Sequence, residues 1–170
     1  MNLLASAPPW LAALLYVLLV VAALEDGWRM RIGNWTSAAI AIGAFVAVAL
    51  NGPIVGLWQN LLLFVGVLVI GTFLFARSWM GGGDVKLFAA GALWCDFSAG
   101  WKMLMAVALA GGVETILILL SRGFNWSDRT LERVEFLRRR GGIPYGIAIA
   151  AGLILVTWWV RRHHYTFWFS

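Results

Sequence analysis

The chain has 170 residues and a formal net charge of +5, with 62% hydrophobic and only 12% charged residues. A soluble globular chain carries roughly 45–50% apolar and about 25% charged residues, so the composition excludes a soluble domain, a disordered chain, collagen and a coiled coil. The single cysteine, Cys95, also excludes an internal disulfide and a four-cysteine zinc site. We therefore expect an integral membrane protein, whose excess of Lys and Arg reflects cytoplasmic loops rather than nucleic-acid binding.

Six apolar segments predict helices that cross the membrane. A spanning helix needs roughly 20 mostly apolar residues. No Lys or Arg precedes the first segment, which therefore predicts a permanent span rather than a cleaved signal. The fourth segment is short and spans only if it extends towards Gly100 or tilts. We predict an all-α membrane protein, a single domain over 1–170 with a bundle of six transmembrane helices. The segments are 9–24, 35–50, 57–75, 85–95, 101–120 and 143–160.

The positive charges predict the orientation of this bundle. Of the 13 Lys and Arg residues, all but three fall in or beside the first, third and fifth connectors. Because such residues collect on the cytoplasmic side, we expect these connectors in the cytoplasm and both termini outside. Within the fifth connector, the apolar spacing predicts a short amphipathic cytoplasmic helix near 127–138, with its arginines near anionic lipid.

Two aspartates are predicted to share one depth at the cytoplasmic boundary. Asp26 ends a helix that runs inwards, and Asp84 begins a helix that runs outwards. Glu25 points about 100° away from Asp26, so only one of that pair can face the bundle. A solvated acid for Asp26 and a helix N-cap for Asp84 are the structural alternatives. They leave the three successive glycines at 81–83 unexplained, and we expect these to bind an extended peptide.

Paired carboxylates at one depth indicate an aspartyl-protease dyad. Two such groups within a few ångströms do not both ionise easily and share a proton. One aspartate then acts as general base on a water, while the other polarises the scissile carbonyl and protonates the leaving amine. We expect the apolar helix of a peptide substrate to pack laterally against Ala89, Ala90 and Gly91.

A third acidic residue, Glu114, lies within the fifth predicted span. It could pair with Lys86, line the site, or bond to Thr115 and neighbouring backbone. It also allows a rival function, a small transporter in which Asp26, Asp84 and Glu114 relay protons or cations. Against this, both aspartates lie at one face and the spans show no clear inverted repeats. An inactive scaffold of a pilus assembly platform is a further alternative.

Three ordered segments resemble the type IV prepilin peptidases, which are intramembrane aspartyl proteases. Gly-Gly-Gly-Asp-Val-Lys-Leu at 81–87 resembles their G-x-G-D motif, and the segment at 26–34 resembles their first-aspartate segment of Asp, several basic residues and Ile-Pro-Asn. Ile-Pro-Tyr-Gly-Ile-Ala at 143–148 resembles the Pro-Tyr-Gly-x-Ala run near the start of their last helix. The resemblance covers nearly the whole chain, in order and with similar span spacing.

The resemblance implies that Asp26 and Asp84 are the catalytic pair of a multi-pass enzyme in the inner (cytoplasmic) membrane. The implied substrates are prepilins and pseudopilins, cut at the cytoplasmic face, with Gly usually before the scissile bond. No metal or other cofactor is expected, and self-association is left open. We assign to the loop and substrate-binding surface Gly81, Gly82, Gly83, Lys86 and Asn34.

Two departures from the family pattern are visible. Gly33 stands where the family usually has Pro, which leaves the geometry of the adjoining loop open. Long family members carry an insertion between the first two spans, often with paired cysteines, and also methylate the new N-terminus. Here that connector is about ten residues, 25–34, without cysteine. The resemblance therefore implies a peptidase without methyltransferase activity, similar to the short members that serve tight-adherence (Flp-type) pili.

Overall fold

The computed structural model describes residues 1–52, 56–124 and 142–166. Within these ranges the chain is all-helical and has no strand, which confirms the predicted all-α class. The predicted amphipathic helix near 127–138 lies outside the described residues. Seven helices are present in the described ranges: α1 (Leu3–Ser6), α2 (Pro9–Arg29), α3 (Asn34–Asn51), α4 (Leu57–Ala76), α5 (Gly82–Ala92), α6 (Phe97–Ser121) and α7 (Tyr145–Thr166).

Four of the described helices, α2, α3, α4 and α6, are long and apolar enough to cross a membrane. Together they confirm a multi-pass membrane protein. The helix α2 continues to Arg29, past the predicted end at residue 24, so Asp26 lies within its last turns. Tryptophans mark both ends of this helix: Trp10 is 58% exposed and Trp28 is 85% exposed. At 1.5 Å per residue they are about 27 Å apart along the axis, close to the ~30 Å thickness of the hydrocarbon.

The short helix α5 occupies the place of the fourth predicted span. It contains 11 residues, or about 16 Å at 1.5 Å per residue, roughly half the hydrocarbon thickness. It ends at Ala92 and does not extend towards Gly100, which lies within the next helix, α6, beginning at Phe97. The helices α3, α4 and α7 pack around it. Irregular backbone at membrane depth is tolerated where protein encloses it, which explains how so short a helix can lie inside the bundle.

Polar side chains close the far end of α5. Asn60 is fully buried, and its Nδ2 donates to the carbonyl oxygens of Leu93 at 2.8 Å and Met1 at 2.9 Å. The indole Nε1 of Trp94 donates to the carbonyl of Ile40 at 3.0 Å. The bonds of Asn60 satisfy carbonyls that would otherwise be unpaired in an apolar environment, and the bond of Trp94 ties the end of α5 to α3.

The helix α7 lies at the centre of the packing, against α6, α2 and α5. Its Leu153 fills the space that a side chain at Gly91 would need. Ala89 and Ala90 are also buried, at 1% and 3% exposure. The expectation that a substrate helix packs against Ala89, Ala90 and Gly91 is therefore wrong, since the protein's own helices cover that face. Apolar sequence alone does not distinguish a surface that meets lipid from one that meets another helix.

Candidate active site

Asp26 is held by the start of another helix. It lies near the C-terminal end of α2, where the helix dipole disfavours a carboxylate. Its Oδ2 accepts the backbone N–H of Gly146, in the first turn of α7, at 2.7 Å. The first N–H groups of a helix have no partner within it and lie at its positive end. The amino-terminal end of α7 therefore offsets the unfavourable end of α2, and Asp26 is only 4% exposed.

Only glycine fits at position 146. A Cβ there would lie 2.7 Å from Oδ2 and 2.9 Å from Cβ of Asp26. The segment at 143–148 entered the sequence analysis only as part of a resemblance, without a role. The sequence did contain a signal for this role, namely a glycine in the first turn of the helix predicted at 143–160. Backbone N–H groups in the first turn of a helix are free to bind an anion.

Asp84 is held by its own helix. It is the third residue of α5, and its Oδ2 accepts the N–H of the N-cap residue Gly81 at 3.2 Å. Asp84 is therefore not the N-cap, and it is 7% exposed. Position 84 follows glycines that are themselves helical, since α5 begins at Gly82.

The glycines at 81–83 do not form an extended loop of positive φ. Gly81 has φ −70° and ψ 144°, a conformation open to any residue. At Gly83, the reason for glycine is close approach: a Cβ would lie 3.2 Å from the backbone nitrogen of Ile32. The glycines at 82 and 83 form the first turn of α5. Binding of an extended peptide by these three glycines remains a prediction.

Both aspartates line one cavity of about 660 Å³. Asp84 lies within electrostatic range of Asp26, and both carboxylates are buried. Met30 and Ser78, also in the wall, have positive φ of 52° and 58°, which is uncommon for residues other than glycine. The cavity is lined by Asp26, Met30, Phe75, Ser78, Trp79, Met80, Gly81, Asp84, Gly142, Ile143 and Tyr145.

Glu25 folds the connector between α2 and α3. Its Oε2 accepts the N–H of Gly33 at 3.0 Å and the hydroxyl of Thr36 at 2.8 Å. Glu25 and Asp26 therefore point in different directions, as the 100° offset predicts: Glu25 binds the connector, and Asp26 is buried. Gly33 has φ −64°, a value that proline also adopts. Its N–H is the group that proline lacks, so this departure from the family pattern supplies a donor for Glu25.

The folded connector places Ile32 between the two halves of the site. The Ile32 backbone lies against Gly83, and a Cβ at Gly146 would be 2.6 Å from Ile32 Cδ1. Gly83 precedes Asp84, and Gly146 holds Asp26. Ile32 therefore helps to set the distance between the start of α5, which carries Asp84, and the start of α7, which binds Asp26.

Lys86 and Asn34 meet outside the cavity. The Nζ of Lys86 donates to Oδ1 of Asn34 at 2.8 Å, which joins α5 to the start of α3. Neither residue lines the cavity of Asp26 and Asp84. Their expected contribution to substrate binding remains a prediction.

Glu114 lies on α6 beside a different groove. Its Oε2 is buried without a hydrogen-bond partner, next to apolar residues of α6 and α7. Two expected partners bind elsewhere, since Lys86 donates to Asn34 and the hydroxyl of Thr115 donates to the carbonyl of Gly111 at 2.7 Å. A backbone partner is present, because the carboxyl group of Glu114 accepts the N–H of Ala148 on α7. In the described part of the chain, no group of three or more His, Cys, Asp or Glu residues could hold a metal ion.

Comparison with known proteins links the chain to a peptidase family. The family model described as the type IV leader peptidase family matches residues 13–120. The match covers more than half of the chain and contains Asp26, Asp84 and Glu114, while α7 lies beyond it. Searches of curated proteins and of solved structures gave no match.

Proposed function

The chain belongs to the type IV leader peptidase family, and from this premise we propose that it is an aspartyl endopeptidase that uses Asp26 and Asp84. The observation that carries the proposal is the single cavity that both buried carboxylates line. Its substrates are prepilins or pseudopilins, which it cuts between a basic leader and an apolar helix. The enzyme lies in the inner membrane with its active site towards the cytoplasm.

The chemistry follows from the placement of the two carboxylates. A neighbouring pair in a buried site shares one proton, because two adjacent charges are costly there. The ionised carboxylate removes a proton from a water, which attacks the scissile carbonyl. The protonated partner polarises that carbonyl and then protonates the leaving amine. The amide of Gly81 holds the carboxyl group of Asp84, and the amides of Gly146 and Ile147 hold that of Asp26, so both groups are fixed in the cavity.

The same proposal includes six membrane-embedded helices. To the four long apolar helices it adds α5, enclosed by its neighbours, and α7, which packs against three of them. With all but three of the 13 Lys and Arg residues in or beside the first, third and fifth connectors, those connectors are cytoplasmic and both termini are outside. Asp26 and Asp84 then lie at the inner boundary, where a leader meets the apolar part of a prepilin.

We further propose that the enzyme does not methylate the new N-terminus. The connector between α2 and α3 has only the residues 30–33 and no cysteine. It leaves no room for the insertion of the long family members. The chain is in this respect similar to the short members that serve tight-adherence pili. The transporter alternative gains no support from the family match.

Cleavage of a co-expressed prepilin tests the proposal. Asp26→Asn and Asp84→Asn should each abolish cutting, scored by gel shift and N-terminal sequencing of the product, while the protein still inserts in the membrane. The matched control is Asp96→Asn at the N-cap of α6, where Oδ1 accepts the N–H of Ala99 at 2.8 Å. Asparagine caps helices as well as aspartate does, so this control should cut normally.

A normal cut by either site variant would make that aspartate structural. The search for the catalytic group would then move to Glu114 or to a function without catalysis.

A further inference from the structure

A second groove lies beside the cavity of Asp26 and Asp84. It has a volume of about 540 Å³ and lies between α6, the first turns of α7 and Met80. Met80 and Tyr145 line both this groove and the cavity of Asp26 and Asp84, so the two spaces are adjacent. We name it the lateral groove, with its lining of Met80, Val107, Ala108, Gly111, Gly112, Thr115, Ile116, Tyr145, Ala148 and Ile149.

The lateral groove runs away from the aspartates along the membrane helices. On α6 it extends from Ile116 back to Val107, about 13 Å at 1.5 Å per residue. The hydroxyl of Thr115 is bonded to the carbonyl of Gly111, so it offers no free donor to the groove. The lateral groove is therefore an apolar surface beside a polar site.

Small residues allow close approach in this groove. Ala108 and Gly112 are exposed one turn apart on α6, and a Cβ at Gly112 would meet nothing within 4 Å. Helices associate in lipid by packing against small residues, since lipid tails are as apolar as the side chains they would replace. A helix about 10 Å across occupies roughly 120 Å³ per residue, so the groove accommodates about one turn.

We propose that the lateral groove binds the first turn of the substrate's apolar helix, directly after the scissile bond. The inference rests on the proposed function, because it assumes a substrate whose apolar helix follows the cut. The larger groove of about 990 Å³ beside Glu114 is less suitable, since none of its lining residues lines the catalytic cavity. The lateral groove replaces the buried face of α5 as the docking surface.

The kinetic test fills the groove and compares two substrates. Gly112→Leu adds bulk in open space, and Gly66→Leu on α4 is the matched control, because a Cβ there also meets nothing within 4 Å. The substrates are a full prepilin with a basic leader and a soluble junction peptide without the apolar helix. We expect Gly112→Leu to raise KM for the prepilin at least tenfold more than for the peptide, and Gly66→Leu to match the wild type.

Equal effects of Gly112→Leu on both substrates, or no effect on either, would overturn the proposal. The first result would mean that the change acts on the aspartates. The second would mean that the groove holds lipid rather than substrate.

A cross-linking test does not depend on cleavage. Gly112→Cys is combined with Asp84→Asn, and the prepilin carries a cysteine in its first turn after the junction. The native Cys95 is buried and stays silent. We expect a disulfide on mild oxidation, and none with Gly66→Cys in the same background. Absence of the link, or equal linking at both positions, would refute the groove. A specific link together with a wild-type enzyme that cuts no prepilin would instead refute the proposed function alone.

Discussion

Gly146 lets the amide end of α7 meet the carboxylate of α2. The N–H of Gly146 reaches Oδ2 of Asp26 at 2.7 Å, and no side chain separates them. Asp26 was selected in the sequence as a candidate site residue because it is acidic and is predicted to lie at the boundary of a membrane span. Its partner could not be found in that way, because 120 residues separate the two and no pattern links them. Residue types predict what chemistry is present, whereas the contacts that orient it depend on the fold.

Gly146→Ala should displace Asp26. The added Cβ would lie 2.7 Å from the carboxyl oxygen, so the aspartate or the start of α7 must shift. Since a misplacement of about 1 Å at a site can cost on the order of 100-fold in rate, we expect a loss of that size in prepilin cleavage. The control is Gly66→Ala on α4, where a Cβ would meet nothing within 4 Å. Equal activity of the two variants would contradict the contact between Gly146 and Asp26.

At the scale of elements, α5 depends on contacts at both ends. At its N-terminal end, Asp84 and Gly81 close the first turn, and Lys86 joins it to α3. At its other end, the side-chain amide of Asn60 donates a hydrogen bond to the carbonyl of Leu93. Hydropathy alone predicted a short or tilted span here, and placed its start within three residues of the observed one. It could not show that the helix is enclosed by protein, because burial against helices and against lipid favours the same residues.

Removal of the Asn60 amide should destabilise this end of the bundle. Asn60→Ala leaves the carbonyls of Leu93 and Met1 without their donor, at a cost of about 1–3 kcal/mol for a buried group. The midpoint of thermal unfolding in detergent should fall accordingly. Gln59→Ala is the control, since Gln59 accepts only the exposed N–H of Phe97 at 3.4 Å. A midpoint that is unchanged by Asn60→Ala would show that these bonds add no stability.

At the scale of the whole molecule, charge and hydropathy together predict more than either does alone. The all-α class and the multi-pass character follow from composition and are confirmed. The helix boundaries were less accurate, as the extension of α2 to Arg29 shows, because juxtamembrane polar residues can continue a helix beyond its apolar part. The orientation in the membrane remains a prediction from the distribution of Lys and Arg.

Cysteine labelling at the two ends of α2 tests that orientation. Trp10→Cys and Trp28→Cys replace two exposed residues on one helix, and the native Cys95 is buried. A membrane-impermeant maleimide should label position 10 in intact spheroplasts, and position 28 only after the membrane is opened. The reverse order would place the aspartates on the outer side and contradict the proposed site of cleavage.

The tryptophans at the two ends of α2 have a consequence for how a cut site is selected. Indole rings settle at the interface between headgroups and hydrocarbon, so Trp10 and Trp28 hold the protein at one height in the bilayer. Asp26, two residues before Trp28, is fixed at nearly the same height. A substrate with an apolar helix is held in the bilayer by the same force. Under the proposed function, the bilayer therefore sets the height of both enzyme and substrate, and the bond that is cut is the one that lies level with Asp26 and Asp84.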